Sequence, residues 1–138
     1  MIVRSAVLAM LALSIAGPAL AQSSAPATAK VFFIEPKNGA EVTSPVSVKM
    51  GLEGMEIAPA GTDKPNTGHH HILINKTLED PTSPIPADDN HKHFGKGQTE
   101  ASLELKPGKH TLQLVLGDHN HAPHKPLVQS DVITITVK

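Results

Sequence analysis

Lys109-His110-Thr111-Leu112-Gln113-Leu114-Val115-Leu116 decides the fold class. In an extended chain Leu112, Leu114 and Leu116 fall on one face and Thr111, Gln113 and Val115 on the other. This is the period-2 pattern of a β-strand with one side toward a core. Pro107-Gly108 before it is a tight-turn signal, and before that turn Thr99 to Leu105 alternates again, with Ala101, Leu103 and Leu105 on one side. Downstream, Gln129 to Val137 places Ile133, Ile135 and Val137 inward and Thr134 and Thr136 outward. Toward the N-terminus, Gly68 to Asn75 is His-rich at its start and continues Ile72-Leu73-Ile74. Val46 to Met50 alternates, Val31 to Ile34 is a short β-prone run closed by a turn at Glu35 to Gly39, and Met55 to Ala58 reads as a short extended piece. Between these lie a Pro/Gly-rich loop at Pro59 to Thr67, a long loop at Lys76 to Gln98, and a His-rich loop at Gly117 to Pro126. No segment carries a convincing helical period. About six or seven short strands, each needing a second layer to cover its apolar side, predict an all-β, immunoglobulin-like antiparallel β-sandwich. A small barrel is the alternative.

The first 21 of the 138 residues read as a secretory signal: Arg4, an apolar run from Ala6 to Ala16, and Ala19-Leu20-Ala21 as a small-residue cleavage site. The apolar run is short for a bilayer span, which favours cleavage over anchoring. Gln22 to Ala29 is a low-complexity stretch expected to be a flexible linker, and residues 30–138 form a single domain. The expected destination is the periplasm, with no membrane association once the signal is removed.

Composition narrows the function. Twelve basic against thirteen acidic residues leave the chain near neutrality, which offers no attraction to nucleic acid or an anionic membrane. Trp and Tyr are absent, so base-stacking platforms are not expected. Cys is absent, which removes disulfides, thiolate metal sites and cysteine nucleophiles. Gly95-Lys96-Gly97 lacks the strand and helix of a phosphate-binding loop, and no Gly-x-Ser-x-Gly elbow occurs. Asn75-Lys76-Thr77 is an acceptor sequon, relevant only in a host that glycosylates secreted proteins.

All nine histidines lie between His69 and His124. His69-His70-His71 heads a strand, so His69 and His71 share a face with Leu73, while His70 joins Ile72 and Ile74 on the expected core face. His91-Lys92-His93 ends the long loop, and His119, His121 and His124 occupy the second His-rich loop. Alternate residues on a strand stand about 6–7 Å apart at Cα, close enough for two imidazoles to reach one ion. Imidazole without thiolate suits Cu(II) or Zn(II), with Ni(II) also admissible. Asp118, Asp88, Asp89 and Glu100 are candidates to orient such ligands. The candidate ligands are His69, His71, His93, His121 and His124. The expected role is metal buffering, delivery or tolerance, with a periplasmic metalloprotein or transporter as partner. Binding is expected to fall as pH drops through about 6.5, where protons compete for imidazole. Two readings compete. The same cluster could serve a metal-dependent enzyme with Glu100 as acid or base, or the histidines could form a buried hydrogen-bond network in a structural or interaction domain. His70 and His110 singly fit that second, structural role.

Gly68 to Asn75, His93 to Glu100, Pro107 to Leu114, His121 to His124 and Ser130 to Val137 together resemble a family of small secreted bacterial domains known as domain of unknown function 4399. The likeness runs from about Met55 to Val137. It implies that His69, His70, His71, His93, Gln98, Glu100, His110, His121 and His124 belong to one pattern, with His91 and His119 peripheral. It implies no activity. By analogy of size, compartment and fold, the chain is similar to periplasmic copper carriers of the copper-resistance type. It departs from them in having no histidine near Gln22. A cupin match is poor, because Glu100 lies too far beyond His91-Lys92-His93.

Overall fold

The computed structural model describes residues 22–138. The expected signal segment lies outside them. The described chain forms nine strands: β1 (Lys30–Glu35), β2 (Glu41–Val42), β3 (Val46–Glu53), β4 (Glu56–Ile57), β5 (Thr67–Ile74), β6 (His91–His93), β7 (Glu100–Leu103), β8 (Gly108–Gly117) and β9 (Ile133–Val137). There is no helix among the described residues. One sheet has the order β1-β3-β7; the other runs β2-β9-β8-β5-β4, with β6 also pairing with β5.

The two sheets pack face to face as a β-sandwich, as the alternating patterns predict. Val31, Val46, Val48, Met50 and Leu103 of the smaller sheet meet Ile72, Ile74, Leu112, Leu114, Leu116, Ile133, Ile135 and Val137 of the larger one in a single apolar core. The strand count exceeds the six or seven expected because β2 and β6, which span only two and three residues, were not anticipated, whereas β4 falls in the extended piece read at Met55 to Ala58. Runs that short have no period to read. β6 was expected to be loop.

β5 departs most from a half-buried strand. All eight of its residues are buried. Its inner face joins the inter-sheet core. Its outer face is covered by the loops that follow β5 and β8: Leu73 and Val115 pack with Ile85, flanked by Leu78 and Leu127. These loops act as a partial third layer, anchored where Leu116 N–H donates to Val128 O at 2.9 Å and Ser130 N–H to Leu114 O at 2.8 Å.

Gln22 to Ala29, expected to be a flexible linker, lies against the body. Ala25 is buried with the core residues, and its N–H donates to Lys125 O at 3.2 Å.

Candidate metal centre

The site is built on β5, β6 and the turn after β8. His69 and His71 project from the outer face of β5, two residues apart. His93 on β6 stands opposite His71 in the antiparallel register. Phe94 N–H donates to His70 O and Ile74 N–H to Asn90 O, which makes His71/His93 a non-hydrogen-bonded pair, the kind whose side chains approach most closely. On the other edge of β5, His69 pairs with Gly117, the last residue of β8. The chain then turns back through Asp118 to His121, with His121 N–H donating to Asp118 O at 2.9 Å. His121 has φ +62°, which swings its ring over the β5 histidines.

One ring nitrogen from each of His69, His71, His93 and His121 lies within 4.8 Å of the others. His69 Nε2 is 2.9 Å from His71 Nε2 and 3.1 Å from His121 Nδ1. The His93 ring centroid is 5.0 Å from that of His69, 5.2 Å from His71 and 4.5 Å from His121. A neutral imidazole nitrogen carries either a proton or a lone pair. His69 Nε2 therefore satisfies only one of its two close neighbours by hydrogen bonding. In the tautomers that turn their lone pairs inward, a single cation would satisfy all of them together. The cluster could hold a metal ion.

Two glycines make room for the rings. A Cβ at Gly117 would sit 2.6 Å from His71 Nε2, and one at Gly95 would sit 2.5 Å from His93 Nε2. Nothing in the sequence marks either glycine for this role, because the need arises only once the strands are paired.

The electrostatics favour the neutral form of the His69, His71 and His93 rings. Burial, reinforced by His69, His93 and His121, pushes the His71 pKa down to about 2. Burial, with His121 and His93 nearby, pushes His69 down to about 4, against an opposing pull from Asp118. Burial and His121 also lower His93. For His69 and His71, proton competition therefore falls below the pH 6.5 expected from the unperturbed side chain. His69 and His71 are buried, His121 is half-buried and His93 is exposed, so the cluster opens to solvent on the β6 side.

Other candidates take different places. His124 lies outside the group: it is buried, its Nε2–H donates to Thr67 O at 3.1 Å, and its Nδ1 has no partner. Glu100 is exposed on β7, in the other sheet, and is not among the clustered side chains. Gln98 Oε1 accepts from Lys96 N–H. His91 Nδ1 donates to Asp88 Oδ1 at 2.7 Å, and His119 is 3.8 Å from Asp63. Asp89 is exposed.

His110 Nε2–H donates to Lys106 O at 2.7 Å, so its Nδ1 accepts from Asn75 Nδ2 at 2.9 Å. Asn75 Oδ1 accepts from Thr111 N–H, which commits both ends of the sequon asparagine to holding β5 against β8. His70 is fully buried with neither ring nitrogen partnered, and burial pushes its pKa down to about 4. Asp118 acts on the site through the backbone. Its Oδ1 accepts from the N–H groups of Asn120 at 2.9 Å and Ala122 at 3.0 Å, the residues on either side of His121. Burial raises the Asp118 pKa, but the bonds from Ser23, Asn120 and Ala122 outweigh it and hold the carboxyl below its usual value.

A family model for a domain of unknown function matches residues 48–138, which include every strand of the site. The chain belongs to the DUF4399 family. The match takes in the four clustered histidines together with Gly95, Gly117 and Asp118, and begins beyond β1 and β2. No curated protein and no solved structure matches the chain.

Proposed function

We propose that this DUF4399 domain binds one divalent transition-metal ion through His69, His71, His93 and His121, and that it serves metal buffering, delivery or tolerance in the periplasm. The observation that carries the reading is the convergence of four imidazole nitrogens within 4.8 Å, two of them on side chains withdrawn from solvent. Copper(II) is the first choice and zinc the second. Nitrogens held about 2.0–2.1 Å from one ion stand about 2.9 Å apart at a right angle and about 3.4 Å apart at the tetrahedral angle. The contacts of 2.9 and 3.1 Å lie toward the right-angle value, which suits the tetragonal preference of Cu(II). The exposed His93 gives an incoming ligand a side from which to approach, in keeping with transfer to a metalloprotein or transporter.

The test is metal analysis of tag-free protein, followed by competition titration with Cu(II) and Zn(II). One equivalent retained through dialysis, with nanomolar or tighter affinity, is the expected result. Several equivalents bound only at micromolar concentration would overturn the reading.

A further inference from the structure

The loop that carries His121 is fastened by residues far from it in sequence and outside the matched family region. Lys125 N–H donates to Ser23 O at 2.9 Å, and Ala25 N–H donates to Lys125 O. The Gln22 side-chain amide donates to Pro123 O at 3.1 Å and also to Pro81 O. Ser23 Oγ donates to Asp118 Oδ2 at 2.8 Å, and Ser23 N–H approaches the same oxygen at 3.4 Å.

Asp118 is only 2% exposed, so its carboxylate needs donors from the protein. One oxygen is satisfied by its own turn, through Asn120 and Ala122. The other depends on Ser23. The turn in question holds His121 at positive φ, a conformation that costs a non-glycine residue energy and persists only when its surroundings enforce it.

We propose that Ser23 is a positioning residue for the metal centre: it fixes Asp118, Asp118 fixes the turn, and the turn aims His121 Nδ1 at the β5 histidines. The proposal rests on the metal-binding reading above. Gln22–Ala25 thereby works as a clasp, supplied from outside the matched region, on the single ligand that no strand holds. Release of the clasp leaves His69, His71 and His93 in place on paired strands and frees the fourth ligand, which weakens binding and quickens metal loss.

The test compares wild type, Ser23→Ala and Ser23→Thr in the tag-free chain. Copper(II) affinity is measured by chelator competition, nitrogen ligation by electron paramagnetic resonance, and exchange of the Asn120 and Ala122 amides by hydrogen–deuterium exchange without metal. Ser23→Ala is expected to lose about tenfold in affinity, to shift the spectrum from four toward three nitrogens and to exchange those amides faster, while Ser23→Thr restores all three. Tight wild-type binding with affinity and spectrum unchanged in Ser23→Ala overturns the clasp and leaves the metal centre standing. A wild-type chain that takes up no copper overturns the metal reading and the clasp with it.

Discussion

The two faces of β5 place the same side chain in opposite settings. His69 and His71 point outward, where their nitrogens meet each other and those of His93 and His121. His70, between them in sequence, points inward with Ile72 and Ile74 and meets nothing its ring can bond. Both faces are buried, so exposure does not separate them. The difference is in what covers each face. The smaller sheet brings apolar side chains to the inner face, and the turn after β8 brings an imidazole to the outer one. Adjacent histidines on a strand therefore belong to different parts of the molecule, and a run of three is a pair plus a single.

Four substitutions break or sharpen this contrast. The largest effect is expected on the outer face: His71→Ala should weaken copper binding at least a thousandfold, about 4 kcal/mol, as read by chelator competition. Binding within tenfold of wild type would show that the outer face is not the site. On the inner face, His70→Ala should leave metal affinity unchanged and cost about 2–4 kcal/mol of stability in denaturant unfolding, through the cavity it leaves. Lost metal with unchanged stability would reverse the assignment of the two faces.

His70→Leu isolates the charge from the volume. The folded pKa of His70, about 4, lies below the unfolded value of 6.5, so the unfolded chain binds the extra proton. The stability His70 contributes is present above pH 6.5 and drains away as pH falls toward 4, by on the order of 3 kcal/mol. Unfolding of metal-free His70→Leu between pH 7 and 4 should show a flatter slope than wild type by that amount. An equal slope would mean that His70 takes up its proton alike in the folded and unfolded chains. The smallest effect is expected at Gly117→Ala, whose new methyl group meets His71 Nε2. It should lower metal affinity about tenfold, near 1.4 kcal/mol, with little change in melting temperature.

The alternation of Leu112, Leu114 and Leu116, and of Ile133, Ile135 and Val137, made the sandwich legible, because a core face imposes period 2 on any strand long enough to show it. β6 was not legible, since three residues, His91–His93, are too few to carry a period. The pairing of His69 with His71 was readable from strand geometry. Their convergence with His93 depends on the register of β5 with β6, and with His121 on a turn at positive φ; neither is encoded locally. His124 misled because it lies three residues from His121 but beyond the turn, where its Nε2 is spent on Thr67 O. Asp118 reads in the sequence as an acid that orients an imidazole; its carboxylate hydrogen-bonds instead to the Asn120 and Ala122 amides and to Ser23.

The separation of the ligands along the chain bears on the order of folding. His69 and His121 touch across 52 residues, and the His71/His93 pair forms only after the loop between β5 and β6 has closed. Contacts of such long range are made late, because loop closure must precede the reward for making them. The nascent chain thus offers an ion only scattered imidazoles until the sandwich is assembled. Tight capture of an ion, on the proposed reading, would be a property of the finished molecule, and the ion a poor template for building it.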